Sequence, residues 1–578
     1  MPELGILGAG NPISVTPFGG IHWLDRKMKV SWAIGADDRW HFAEQETTIR
    51  QNLSAKKISP ETRVRVPGGD IEQCVDVIPV GSGSATMVEF ENTTPVPVAL
   101  ALILMNFDEL TVEGPLVKSG SSQVMLASKP VALTCSAKTL VDLQKALEET
   151  AAKPSNAGEI INDKGHTAVI FPLPHGTKLR LLLNNDEVDE LPNPKGCPEF
   201  SEIAKGWESH LDMGMQVTLP DNRILEAAIA SRRHLLIGSG QPLQSEFWSR
   251  ESSSNVAPIC ANALIRWGHR HAGRKILLEQ AGATDPLLFG TRIPTSILLN
   301  IWAWQSYFSY EPEDKTANIL APWIKEVTLS LLESIPGKRR RKGKNYALEL
   351  STLESAAMIL RCAGETELSD EIDFQARSLH ESMGNMSYMD PLLDAITRDK
   401  MTFEGYQKAF ASHHQYSARG IGVGELLAQV DSTGSFPKGT RTQDPLSSSL
   451  YLLALREALV TQRIDLETDN GIALLEAFDK NWIGAQIEVE RAPIKGGEIG
   501  FAIRWHGAAP ALLWEVQTEK AFTMTLPALD CDWSTSELKG EALLSEQLLP
   551  ETAVSIVEAG KIVLGNKPDH GNESGTFS

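Results

Sequence analysis

The spacing of apolar residues changes twice along this chain, and few folds accommodate both changes. Lys29-Val30-Ser31-Trp32-Ala33-Ile34, Arg63-Val64-Arg65-Val66 and Thr86-Met87-Val88-Glu89-Phe90 alternate polar and apolar. That is the twofold period of a strand with one buried face. Pro67-Gly68-Gly69-Asp70 and Asn92-Thr93-Thr94-Pro95 supply turn residues behind two of them. Pro97 to Leu104 is predicted to be a strand buried on both faces, and His166 to Phe171 and Lys178 to Leu183 add further strands. A single helix is expected in this part, near 139–152, where Leu140, Leu143 and Leu147 repeat at helical spacing.

At Leu219-Pro220-Asp221 the period lengthens to about 3.6. Asp221 is a natural N-cap for a helix over 222–237 that Gly238 ends. Further helices are predicted at about 257–270, 294–310, 317–335, 346–363, 366–382, 402–412, 418–430, 445–462 and 468–480. Helices joined by short loops must stack in hairpins to bury every apolar face. Alternation returns in Gln486-Ile487-Glu488-Val489-Glu490 and in Gly500-Phe501-Ala502-Ile503-Arg504-Trp505. The expected organisation is a multidomain α+β chain. It has an N-terminal antiparallel β-sandwich at 1–218, a helical domain at 219–480, a small C-terminal β domain at 481–565 and a disordered polar tail at 566–578.

Charge excludes some partners. Lys plus Arg number 54 against 74 Asp plus Glu, a net −20 over 578 residues. Such a surface repels phosphate backbones and anionic lipid, so neither nucleic acid nor membrane is an expected partner. The longest apolar stretch, Val96 to Met105, is about half a bilayer span. The start of the sequence lacks a basic leader and a continuous apolar core, so a cytoplasmic protein is expected. Six scattered cysteines form no CxxC pair, and no metal site is expected. Cys260 and Cys362 read as small buried helix residues. GxSxG and GxxxxGK[ST] motifs are absent, and the GxGxG at Gly420–Gly424 opens a predicted helix with no strand before it. Adjacent His413 and His414 point apart and make a poor metal pair. No organic cofactor is indicated.

A β-sandwich followed by stacked helices resembles the six-hairpin glycosidase-like superfamily, in which a sandwich precedes an (α/α) toroid. The string LPDNRILEAAIASRRHLL looks like the opening of such a toroid. Asp37-Asp38-Arg39-Trp40-His41, Arg65-Val66-Pro67-Gly68-Gly69-Asp70 and Arg504-Trp505-His506-Gly507 look like strings in bacterial proteins of this build. The resemblance implies a central helical toroid, a carbohydrate ligand and acid–base hydrolysis of an oligosaccharide. The alternative is a carbohydrate-binding or scaffold protein with a degenerate toroid. Neither fixes an oligomeric state.

Glycoside cleavage takes two carboxyls across a cleft, separated by roughly 5 to 9.5 Å. One candidate lies in Gln244-Ser245-Glu246-Phe247-Trp248-Ser249-Arg250-Glu251, where carboxylates neighbour an aromatic ring and a guanidinium. Sugar faces stack on such rings, and Arg forks onto hydroxyls. The plainer account is a solvated loop with a packed Trp248. The second candidate is Lys344-Asn345-Tyr346-Ala347-Leu348-Glu349, behind the basic run Lys338 to Lys342. Here the plainer account is an acidic residue favoured by the helix dipole. Glu251 and Glu349 are thus the expected catalytic pair, with Trp248, Arg250, Trp304, Asn345 and Tyr346 binding substrate. Trp302 and Trp304 face different sides of one helix, so one is expected in the core and the other toward the cleft. Trp505 is expected to anchor the C-terminal sheet, with Arg504 and His506 hydrogen-bonded at the interface.

Overall fold

The computed structural model describes residues 3–24, 26–52, 59–107, 109–149, 152–154, 160–162, 165–243, 245–248, 253–282, 293–312, 315–334, 346–383, 427, 430–431, 434–437, 443–463, 471–476, 478 and 480–547. The predicted helices at 402–412 and most of 418–430, the GxGxG and His–His strings, the basic run and the 566–578 tail lie outside these residues.

Two antiparallel nine-stranded sheets face each other to form the N-terminal sandwich. Strand Val98–Phe107 explains its apolar run. Leu100, Leu102 and Leu104 point into the core between the sheets, against Phe90, Phe171 and Leu181. Ala101, Ile103 and Met105 point the other way, under Leu143 and Leu147 of helix α1 (Leu140–Glu148). The outer face of the second sheet is covered in part by α2 (Phe200–Asp212), a helix the periodicity missed. The Asp37-Asp38 string is a hairpin turn. Both residues have positive φ, 50° and 58°, between paired Ala36 and Arg39, the backbone of a type I′ connection. Pro67-Gly68 is a second two-residue turn, with Gly68 at φ +91°.

The helical part contains α3 (Asn222–Gly238), α4 (Ser253–Arg266), α5 (Arg270–Gly282), α6 (Thr295–Tyr310), α7 (Thr316–Ser334), α8 (Tyr346–Cys362), α9 (Thr366–Met383) and α10 (Pro445–Leu459). Asp221 caps α3 as expected, its carboxylate accepting from the Arg223 N–H at 2.8 Å. Gly238 is the last helical residue, and its role is close approach: a Cβ there would collide with the Phe247 ring. The periodicity missed α5, whose apolar stripe is narrow. Thirteen of sixteen residues of α6 and fourteen of fifteen of α10 are buried. Helices enclosed on all sides occupy the interior of a helical array, whereas α5 and α9 show polar outer faces.

The return to β structure differs from expectation in three places. Residues 471–474 form a strand, Gly471–Leu474, where the spacing predicts a helix over 468–480; it pairs in parallel with Thr523–Leu526. Gln216–Thr218, the end of the predicted sandwich, belongs instead to the C-terminal five-stranded sheet, where Val217 pairs with Val489. Trp505 is half-buried and donates to the Ala485 carbonyl at 2.9 Å, but Arg504 and His506 are exposed and not interfacial. They sit on the solvent side of the pleat.

A buried cation links the α2–α3 turn to the end of α4. Arg232 donates to the Leu211 and Met215 carbonyls at 3.3 and 3.0 Å and lies 5.1 Å over the Trp267 ring. Burial lowers its pKa to about 10. Beside it, burial, then the Arg232 charge, then His210, lower the pKa of His269 to about 3. His269 is therefore neutral in the fold, while the unfolded chain takes up its proton below about 6.5. Stability is fully present above 6.5 and falls by up to about 1.4 kcal/mol per pH unit down to about 3. His269→Gln is expected to flatten that part of the stability–pH curve in urea unfolding; an unchanged slope contradicts the assignment.

Candidate active site

Hydrogen bonds between neighbouring helices fix their relative direction. Asn262 and Arg266, late in α4, contact the Ser306 hydroxyl late in α6 at 3.1 and 3.5 Å. Thr352 donates to the Leu298 carbonyl and Ser355 to the Gln305 amide oxygen, so α8 runs with α6. Cys260 faces Ser449 near the start of α10, while Trp267 donates to the Leu452 carbonyl and Arg266 to Glu457 near its end. Arg270 at the start of α5 pairs with Glu311 just past α6, and Gln280 near the end of α5 meets Asn300 early in α6. So α5, returning from α4, runs against α6, and α4 runs with α6. Helices α8, α6, α4 and α10 therefore lie side by side and parallel. Their N-termini share one end of the layer, where the partial positive charge of each dipole accumulates.

The two β parts attach at different places on this layer. The C-terminal sheet meets the C-terminal ends: Gly496 N–H donates to the Ser309 carbonyl, and buried Arg456 donates to the Pro493 and Val460 carbonyls. The first hairpin of the sandwich meets the segment leading into α4. Gln241 donates to the Gly10 carbonyl at 2.5 Å, and Trp248 donates to the Gln241 carbonyl at 3.1 Å.

Of the residues expected from sequence, Arg250, Glu251 and Asn345 lie outside the described residues, as does the Tyr346 side chain; Tyr346 is the first residue of α8. Glu349 is half-buried in the first turn of α8. Both tryptophans of the set are interior residues and not exposed platforms. Trp248 is 1% exposed, packed edge-on against Phe247. Trp304 is 0% exposed, enclosed by Tyr307 and Phe308. Trp302 is buried as well, because α6 has neighbours on both sides that the helix itself does not reveal. Sequence reasoning passed over Asp444. This buried carboxylate caps α10, accepting from the N–H and hydroxyl of Ser447 at 2.9 and 2.5 Å. An Asp directly before a Pro at the first helical position was the available signal.

A polar seam crosses the layer nearer its C-terminal ends. Arg266 reaches Glu457 at 2.5 Å, Ser306 joins Arg266 to Asn262, and Gln305 meets Ser355. Elsewhere, a groove of about 200 Å³ lies on the sandwich, lined by Glu72, Glu89, Glu91, Glu199 and Lys178 among others. It is remote in the chain from the expected pair, and its carboxylates are engaged in ion pairs, Glu89, Glu91 and Glu199 with Lys178 or Arg180 and Glu72 with Arg63. Among the described residues no group of three or more His, Cys, Asp or Glu is placed to hold a metal, and no helix is long and apolar enough to cross a membrane.

The structure is similar to solved glycoside hydrolases. A bacterial glucoamylase complexed with acarbose aligns at 11% identity and a TM-score of 0.40, over 65% of this chain and 65% of that one. The chain thus spans less than two thirds of that enzyme. An α-L-rhamnosidase from Dictyoglumus thermophilum aligns at 11% identity and 0.34, over 73% of this chain and 56% of that one. A family GH92 α-mannosidase from Bacteroides thetaiotaomicron aligns at 8% and 0.28, over 79% and 82%. No protein-family model and no curated protein matches the chain by sequence.

The Arg266–Glu457 pair is partly enclosed, with side chains 29% and 22% exposed. A pair between surface and core couples by about 1–2 kcal/mol. A double-mutant cycle of Arg266→Met and Glu457→Gln, read by urea unfolding, is expected to show that coupling. Strict additivity would mean α4 and α10 are not joined there.

Proposed function

We propose that this chain is a glycosidase-like carbohydrate-active protein that hydrolyses an oligosaccharide by acid–base catalysis within an (α/α) toroid. The observation that carries the reading is the parallel alignment of α4, α6, α8 and α10. Glu251 stands two residues ahead of α4, and Glu349 is in the first turn of α8. Glu349 lies at the N-terminal end of the layer, and this reading assigns Glu251, next in sequence to the start of α4, to the same site. Packed helices lie 8–10 Å apart, so α4 and α8, two spacings apart, are separated by about 16–20 Å, a gap that two Glu side chains reaching toward each other narrow toward the separation that glycoside cleavage requires.

In this assignment Glu349, at the positive end of a helix dipole, acts as the carboxylate that activates water or attacks carbon. Glu251 protonates the leaving oxygen. Arg250, Asn345 and Tyr346 bind hydroxyls. Trp248 and Trp304 act from inside the fold by fixing the segments that carry the others. Only the chain's own carboxyls are needed for this chemistry.

The test is hydrolysis of a glycan panel by the full chain, followed by Glu251→Gln and Glu349→Gln. Turnover of at least one glycan is expected, with each variant losing it by roughly 10²–10⁴-fold while retaining binding. Unchanged turnover in both variants removes the residue assignment. Binding without turnover in the parent makes the chain a carbohydrate-binding protein, and neither binding nor turnover removes the carbohydrate reading.

A further inference from the structure

Helix α7 packs one face on the helical core and presents the opposite one to solvent. Ala317, Leu320, Ile324, Val327 and Leu331 are buried in that core. On the other side Lys315, Ile319, Pro322, Glu326, Leu329 and Glu333 follow at alternating steps of four and three. That spacing sets them in one straight stripe, the geometry of a helix–helix seam. Ile319 is 68% exposed and Leu329 44%, and Lys315, Pro322 and Glu333 are exposed as well. A single exposed apolar residue is ordinary. Two branched side chains and a proline aligned on one stripe form an apolar strip, broken only by Glu326.

The order of the stripe selects its occupant. Reversed about residue 324, Ile319 exchanges with Leu329, each five residues away, and Lys315 exchanges with Glu333, each nine residues away. Apolar meets apolar, and cation meets anion. Two copies of α7 packed antiparallel across a twofold axis impose that same reversal. Each sets its Ile319 on Leu329 of the second copy and its Lys315 beside Glu333 of the second copy. Two apolar contacts and two ion pairs then form at once. Local charge also permits it: Lys315 and Lys325 balance Glu326 and Glu333, on a chain whose net charge is −20, so this side adds no repulsion of its own. We infer that α7 is a docking surface for a second copy of this chain, through which an antiparallel homodimer forms. One pair of helices covers less than the roughly 800 Å² per partner of a standard interface, so the dimer is weak and concentration-dependent. The inference goes beyond the carbohydrate reading and does not depend on it.

The test is sedimentation velocity of the full chain over roughly 1–500 µM. The average mass is expected to rise with concentration from 63.1 kDa toward twice that value. Lys315→Glu sets glutamates opposite one another, and Glu333→Lys sets lysines opposite one another. Each single variant is expected to self-associate about tenfold more weakly or worse, and Ile319→Ser to do the same by removing the apolar contact. Mixed in equal amounts, the two charge variants present opposite charges at both pairs, so the dimer is expected to return as a heterodimer. Lys315 and Glu333 stand about 27 Å apart along one helix at 1.5 Å per residue, so no contact within a chain explains that rescue. Acid at the start of α7 and base at its end both suit its dipole, so the helix itself is not weakened. A parent that stays at 63.1 kDa throughout overturns the inference. So does a dimer that survives the single changes, which places the contact on another face, or a mixture that fails to recover it.

Discussion

A helix buried around nearly its whole circumference is enclosed by neighbours, and α6 and α10 are such helices. Neither can lie at an edge of the array. For α10 the enclosure comes from α3 and α4, far earlier in the chain, so the helical region has to return on itself. The parallel layer α8–α6–α4–α10 follows from that return, since alternate helices of a hairpin series run in the same direction. Everything said of the candidate site descends from this: the N-termini gather at one end because the interior helices point one way.

The β parts complete the arrangement. At the C-terminal ends of the layer, Arg456 and Ser309 are held by the turn around Pro493 and Gly496. Gln216–Thr218 joins that same sheet to the strand Ile487–Ile494, so the chain segments before and after the helices are stitched together. At the end of α3, the first sandwich hairpin grips the chain through Gly5, Gly10 and Glu3. The segment that carries the candidate loop is therefore held by sandwich and helix together.

How much of this was legible depends on the range of the interaction that decides each element. The switch at Leu219-Pro220-Asp221 is local chemistry, a proline and a capping carboxylate, and the structure follows it. Strand Val98–Phe107 announced itself because both of its faces are covered. Helix α2 carried a readable signal in the Glu199–Glu202 capping box and the Trp207–Leu211 stripe. Gly471–Leu474 did not: its apolar run suits a helix equally well, and only pairing with Thr523–Leu526 decides it. A packed Trp248 was the plainer reading of the sequence, whereas the burial of both Trp302 and Trp304 was not legible, since the spacing along α6 does not show that it has neighbours on both sides. The common direction of α4, α6 and α8 emerges only from contacts between helices tens of residues apart.

The closure of α10 onto α4 is the claim on which the rest stands, and one substitution tests it. Ser449 Oγ lies 3.0 Å from Cys260 Sγ, so Ser449→Cys places two thiols where a bond of about 2.05 Å can form. Refolding of the reduced variant in a glutathione redox buffer, followed by peptide mapping, is expected to yield a disulfide between Cys260 and the introduced thiol. Free thiols at both positions after refolding, or a disulfide to a different cysteine, would contradict the closed helical layer.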